Sequence, residues 1–479
     1  MAVALSLSPL LIAEWVLRIQ RSRGQTANAL RAIDSDPLVD LHQLKPLFVP
    51  NQRGDQWEIP SDRFNFFCKD SFAAKKPANC RRIFVLGGST TQGRPFATDT
   101  AFSSWLRLRL EAGDPETKFE VVNCGGVSYA SYRVVRILEE VLAHQPDAIV
   151  IYCGHNEFLE DREYASVRKI TGWNQTLIRA LQKIEIARWI KKNSLPEAPL
   201  ATVMPQEVST RLDRYEGLKK YRRDPQWREN VEQHYLHSLE QMLLLANQAN
   251  VPLIVCVPEG DLVNTPPFKV TPEASLGAEA LRRFETGWTV AQDPNEQISK
   301  RLDATVQCLQ LDPLHAGANY VHGRLQYDRG NHVDALNHLT LARDEDVCPL
   351  RATSPIMKTV KQLAEQGDAI IVDVPALFDQ RDHNGSLVPD GIPDPEWFVD
   401  HVHPTINGHQ VIAEACFDAM KFLPWVKETE DSNKTYETSI SNHLGRLGEE
   451  YFARGKQRLE GLRTWSAGRS GEPPDPSTQ

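Results

Sequence analysis

Five short, β-branched apolar runs are spaced along this chain, at 83–87, 119–123, 148–152, 253–257 and 369–374. Longer segments lie between them, and their apolar residues recur at helical period, at 101–111, 132–143, 230–249 and 356–366, with a last one at 407–421. Brief continuous apolar runs suit strands buried on both faces, and the longer periodic segments suit amphipathic helices. Strands joined by helical crossovers pair in parallel, and a parallel sheet needs helices over both faces. The expected fold is therefore α/β: a doubly wound, five-stranded parallel sheet in a flavodoxin-like, three-layer α/β/α sandwich.

Some stretches break this alternation. Residues 173–229 are charged, rich in Arg and Lys and helical in pattern, and read as a surface insertion. Residues 272–349 read as helices only and fall between the fourth and fifth strands. Within them Gly323, Gly330, Ala335, Leu339 and Ala342 occupy the small and apolar positions of a tetratricopeptide (TPR) helix-turn-helix, with helices at 319–330 and 334–343. Cys308 precedes Ala342 by about 34 residues, one such repeat length. The earlier half-repeat, 298–313, fits less well, and fewer than three repeats do not stand alone, so this inserted all-α, TPR-like hairpin segment has to lean on the α/β body. A protein partner would use it.

The organisation expected is a hydrophobic segment at 1–24, an α/β domain over 25–271 and 350–426 interrupted by 272–349, and a C-terminal helix with a disordered tail at 427–479. The tail from residue 465 is rich in Gly, Pro and Ser. At the N-terminus Glu14 and Arg18 interrupt an apolar stretch of about a dozen residues, short of the roughly 20 that span a bilayer. Two readings stay open: an amphipathic helix packed on the body, or the remnant of a membrane anchor. The first places the protein in the cytoplasm and the second on a membrane of the cell envelope.

Lys and Arg number 54 against 63 Asp and Glu, a net charge of −9, and no basic run provides a footprint for nucleic acid. The eight cysteines are scattered with no Cys-x-x-Cys pair, which fits buried thiols better than a zinc knuckle.

The chemistry concentrates where strands end. The first run leads into Leu86-Gly87-Gly88-Ser89-Thr90, which places a hydroxyl at the carboxyl edge of the sheet, where open α/β folds bind ligands. It matches neither the phosphate-binding glycine loops nor the Gly-x-Ser-x-Gly elbow. The second run leads into Asn123-Cys124-Gly125-Gly126-Val127-Ser128-Tyr129, and the third into Cys153-Gly154-His155-Asn156-Glu157. A backbone N–H of the glycine turn, at Gly126 or Ser128, and the Asn156 amide are candidate donors to an oxyanion. Before the last helix stands Asp400-His401-Val402-His403. An Asp three residues ahead of a His can accept from its Nδ1, leaving Nε2 to take a proton from a serine hydroxyl. Without a His-Glu-x-x-His or further ligand cluster, no metal is expected there.

In their order these four blocks resemble the SGNH (GDSL-like) hydrolase superfamily, over about 81–160 and 253–420. The resemblance implies a Ser-His-Asp triad of Ser89, His403 and Asp400, an oxyanion hole that includes Asn156 and the Ser89 N–H, ester hydrolysis and no cofactor. Arg94, Tyr129, His155 and Glu157 are candidates for lining the pocket of a small acyl ester, such as an acylated carbohydrate. The first block reads Gly-Gly-Ser-Thr where many members have Gly-Asp-Ser, a change also found in acyltransferase-like branches. An O-acyltransferase using the same triad, and an interaction scaffold with an inactive hydrolase domain, are the alternatives.

Overall fold

The computed structural model describes residues 46–160, 208–214, 216–366, 369–379 and 390–470. The segment 1–24 and most of the insertion 173–229 lie outside the described residues. A small antiparallel sheet comes first, from β1 (Val49–Pro50), β2 (Gln56–Glu58) and β3 (Ser71–Ala73). These strands are too short to leave a periodic signature in the sequence.

The central sheet consists of β4 (Cys80–Gly87), β5 (Lys118–Gly125), β6 (Ala148–Tyr152), β7 (Leu253–Cys256) and β8 (Ile370–Val372). Its spatial order is β5-β4-β6-β7-β8, every neighbouring pair is parallel, and the five expected strands are the ones found. One face, including Ile83, Val85, Val150 and Ile254, packs on α2 (Phe102–Gly113) and α10 (Ile406–Met420). Residues of the alternate register, Phe84, Leu86, Ile149 and Val255, are also buried. They face the layer of α3 (Ser131–Leu142), α4 (Pro225–Ala249) and α9 (Ser354–Gln366). Burial on both faces is why these strands read as unbroken apolar runs. Helix α4 starts five residues before its apolar pattern does, because Asp224 accepts from the Trp227 N–H and Pro225 suits the first turn.

The chain leaves β4 for β5 on one side and leaves β6 for β7 on the other. The loops at the ends of β4 and β6 therefore diverge and open a crevice at the carboxyl edge.

The stretch between β7 and β8 holds α5 (Ala278–Gln292), α6 (Ile298–Leu311), α7 (Ala316–Asp328) and α8 (His332–Asp344). Gly330 turns α7 into α8 at φ +76°, a left-handed conformation that favours glycine. A Cβ on Gly323 would lie 2.9 Å from the Leu339 N, so the close helix contact needs its absence. The hairpin does lean on the body: Ala335 and Leu339 pack with Leu262, Val263 and Ile392, and the Tyr320 hydroxyl donates to the Val263 carbonyl at 2.9 Å.

The C-terminal region corrects one expectation. It forms two helices, α11 (Ser432–Arg446) and α12 (Glu449–Ser470), and α12 takes in 465–470 of the stretch expected to be disordered, the rest of which lies outside the described residues. Tertiary contacts hold it: Tyr451 stacks on Phe96, Gly455 leaves room for that same ring, and Trp465 stacks on Phe268. No helix of the described residues is long and apolar enough to cross a membrane.

Candidate active site

Ser89 opens α1 (Ser89–Gln92), a single turn set directly on the end of β4. Its seat demands small residues. A Cβ at Gly87 would lie 2.0 Å from the Tyr152 carbonyl oxygen, and one at Gly125 would lie 2.2 Å from the Gln92 N. The Thr91 hydroxyl donates to the Tyr152 carbonyl at 2.8 Å, which ties the turn to the end of β6.

His403 approaches from the other side of the crevice. Its Nε2 lies 2.7 Å from Ser89 Oγ, although 314 residues separate the two in sequence. Its Nδ1 lies 2.7 Å from Asp400 Oδ2 and 2.9 Å from Oδ1. Asp400 Oδ1 also accepts from the backbone N–H groups of Val402 (3.0 Å) and His403 (2.9 Å), so one carboxylate shapes the turn and orients the imidazole. Burial pushes the Asp400 pKa upward, but the charges of His403 and His401 and these hydrogen bonds outweigh it and hold the group well below the usual carboxylate range. The Thr405 hydroxyl then caps α10 by accepting from the Gly408 N–H at 3.1 Å, which anchors the turn to the sheet's helical layer.

Asn156 reaches the serine from β6. Its Nδ2 donates one hydrogen to the Tyr129 carbonyl at 3.1 Å, leaving the second, and a Cβ at Gly88 would lie 2.5 Å from that nitrogen. In the loop after β5 the structure separates the two candidate donors. The Gly126 N–H is engaged by the Gly87 carbonyl at 3.0 Å, because the parallel β4–β5 ladder, in which Gly87 pairs with Gly125, extends one step further. Gly126 is thus not a free donor. The Val127 and Tyr129 N–H groups are taken by the Phe66 and Gly126 carbonyls. Ser128 sits at φ +61°, and its N–H has no partner among the described residues. A left-handed backbone favours glycine, so Ser128 carries its Cβ there at a steric cost.

The four pocket candidates divide. Glu157 is fully buried and caps α3, accepting from the Ser131 N–H (2.8 Å) and hydroxyl (2.9 Å). The Tyr129 ring packs edge-on against Phe67, and its hydroxyl accepts from Arg63 at 3.0 Å. Both side chains are buried in these capping and packing contacts. His155 is 4% exposed and its Nδ1 accepts from the Ala352 N–H at 3.2 Å. Burial first, then the charges of His401 and His403, lower its pKa to about 3. Arg94 differs: its guanidinium is half-buried and makes no hydrogen bond or ion pair with the described residues. Burial and the neighbouring Arg458 charge lower its pKa, and Asp400 opposes them.

Helix α12 was not legible as part of this site. Arg458 donates to the Phe96 carbonyl at 2.7 Å, just beyond Arg94, and Arg463 to the Val399 carbonyl, next to Asp400, at 3.5 Å. The terminal helix therefore braces both the serine loop and the histidine turn. A charged, polar helix of this kind gives no hint in the sequence of which surface it covers.

No protein-family model matches the sequence, and no curated protein does. Among solved structures the chain is similar to LAE5, an α/β hydrolase enzyme from the metagenome of Lake Arreo, Spain, at 14% identity over 72% of this chain and 96% of that one, with a TM-score of 0.31. It is also similar to a GDSL-like lipase from Bacteroides thetaiotaomicron, at 10% identity over 71% of this chain and 88% of that one, with a TM-score of 0.27.

Proposed function

We propose that this chain is a serine hydrolase of the SGNH type acting on an ester bond. The observation that carries the reading is the continuous line from Ser89 Oγ to His403 Nε2 (2.7 Å) and from His403 Nδ1 to Asp400 (2.7 Å). A serine hydroxyl is a weak nucleophile until a base takes its proton, and the base must be held in the right tautomer by a third group.

In the proposed reaction Ser89 Oγ attacks the ester carbonyl while its proton passes to His403 Nε2. Asp400 stabilises the imidazolium so formed. The oxyanion accepts hydrogen bonds from the Ser89 and Ser128 N–H groups and the second Asn156 amide hydrogen, donors fixed before the charge develops. His403 returns the proton to the departing alcohol, and water, activated by the same imidazole, cleaves the acyl-enzyme. The Gly-Gly-Ser-Thr block supports an acyl ester of a carbohydrate over a lipid, with the unpaired Arg94 guanidinium donating to its oxygens.

Labelling the purified chain with a fluorophosphonate probe and mapping the adduct tests this reading. Modification at Ser89 supports it. Modification elsewhere, or turnover of aryl acetates undiminished in Ser89→Ala, overturns it. Product analysis with and without a sugar acceptor separates hydrolysis from acyl transfer.

A further inference from the structure

The α7–α8 hairpin holds a second polar constellation that the ester chemistry does not use. His322 on α7 faces Asp334 and His338, one turn apart on α8. His322 Nε2 lies 3.2 Å from Asp334 Oδ2, and His338 Nε2 lies 3.7 Å from Asp334 Oδ1. One ligand atom from each residue can be chosen so that all three fall within 4.8 Å of one another.

The surroundings fix both tautomers. The Thr305 hydroxyl donates its proton to the Leu302 carbonyl at 2.7 Å, so toward His322 Nδ1, at 2.8 Å, it can only accept. Asn319 Nδ2 donates to the Pro313 and His315 carbonyls at 2.9 and 3.1 Å, which sets the amide's orientation. Its Oδ1 therefore accepts from His338 Nδ1 at 2.7 Å. With a proton on each Nδ1, both neutral rings turn an Nε2 lone pair toward the same carboxylate.

Two lone pairs against an anion repel. The two ring centroids lie 4.3 Å apart. A single dication satisfies all three groups together. Ligand atoms about 2.0–2.1 Å from a tetrahedral zinc stand about 3.3 Å apart; the His322–Asp334 pair at 3.2 Å already matches, and the trio, within 4.8 Å, has to draw closer around the ion. The oxygen acceptors behind each Nδ1 are the outer partners that orient metal-bound imidazoles. The Asp334 and His338 side chains are 37% and 24% exposed, which leaves an open side for a fourth ligand from solvent. With the proton on Nδ1, His322 Nε2 accepts from the Gln326 Nε2–H at 3.3 Å, a bond the ion would displace.

We propose that His322, Asp334 and His338 bind a divalent transition-metal ion, with Zn2+ the occupant this donor set fits, and that the ion clamps α7 to α8. The site is independent of the ester-hydrolase reading, and its test needs no activity.

The full chain, stripped with a chelator, is titrated with Zn2+ and separately with Co2+. One equivalent binds, Co2+ gives the visible absorption of a tetrahedral site, and Zn2+ at 100 times its Kd raises the folded-to-unfolded ratio about a hundredfold. Asp334→Asn and His338→Ala abolish the equivalent, whereas His332→Ala, on the same helix but outside the trio, retains it. A native chain that takes up no stoichiometric ion, or variants that still bind it, overturns the proposal. Should the variants not fold, ring 15N shifts of the native chain decide: zinc bound through Nε2 of two histidines supports the site, and any other pattern overturns it.

Discussion

The sheet edge and the α7–α8 hairpin each gather histidines around a carboxylate, but they complete the arrangement differently. At the sheet edge His403 gives Nδ1 to Asp400 and Nε2 to Ser89, so each ring nitrogen has a partner inside the chain. In the hairpin both histidines give Nδ1 to outer oxygens and turn Nε2 toward Asp334, with only the Gln326 amide beside His322 Nε2. The same residue types therefore serve opposite ends. On the proposed readings the first arrangement moves a proton, while the second takes a cation from outside. The tautomer, fixed by the group behind the ring, decides which.

Substitutions at the sheet edge should show the largest effects. Ser89→Ala removes the nucleophile and should lower kcat for an aryl acetate by roughly 10^4–10^6-fold with the fold intact by circular dichroism. Asp400→Asn leaves the volume but reverses the tautomer logic, and a loss of about 10^4-fold in kcat is expected. A variant that kept most of its turnover would show that the imidazole is not held as described, and the contrast with the hairpin would collapse. Asn156→Ala removes one oxyanion donor and should cost about 10^2–10^3-fold in kcat with KM little changed. A pure KM effect would place the amide on the bound substrate instead.

The two regions also differed in legibility. At the sheet edge the signal was order: serine, glycine turn, asparagine and Asp-x-x-His, each after or near an apolar run, so strand ends could be read as neighbours without knowing a distance. Ser89, Asn156, Asp400 and His403 meet as that order implied. The choice between Gly126 and Ser128 was not readable, because it depends on how far the β4–β5 ladder extends. Proximity in sequence made Glu157 and Tyr129 pocket candidates, and it could not show that one caps a helix and the other packs on Phe67. In the hairpin the glycines announced a close helix pair, whereas His322 and the Asp-x-x-x-His of α8 fit no metal motif. Their convergence depends on the rotation of α7 against α8, which small-residue spacing does not specify.

Buried neutral histidines allow a comparison on stability. His409, below the triad, stacks on Phe102, and neither ring nitrogen has a partner; burial and then the His403 charge lower its pKa from 6.5 to about 3. His315, at the start of α7, is lowered to about 4 mainly by burial, yet its Nδ1 caps the helix by accepting from the Ala318 N–H at 3.0 Å. Below pH 6.5 the unfolded chain takes up protons that these folded rings refuse. Stability present above pH 6.5 is therefore lost as the pH falls toward 3–4, at about 1.4 kcal/mol per pH unit per ring. His409→Leu should flatten that slope and stabilise the chain by about 1–3 kcal/mol, since two unpartnered buried atoms disappear. His315→Leu should flatten it too, but with a net loss of about 1 kcal/mol at pH 7 from the missing cap. Denaturant melts from pH 7 to pH 4.5 check both, and equal slopes in both variants and the parent would refute the assignment.

The smallest expected effect tests the loop after β5. Ser128 is held at φ +61°, where a Cβ costs roughly 1–2 kcal/mol, and its N–H is the proposed oxyanion donor in place of the engaged Gly126 N–H. Ser128→Gly removes the Cβ and keeps the N–H. Glycine's greater freedom in the unfolded chain takes back about 0.5–1 kcal/mol, so a net gain of about 0.5–1 kcal/mol is expected, with kcat within about twofold. A backbone donor is indifferent to its own side chain, whereas a hydroxyl acting on substrate is not. A drop in kcat of tenfold or more would therefore move the function of Ser128 from its N–H to its Oγ, and the oxyanion would then rest on Asn156 and the Ser89 N–H.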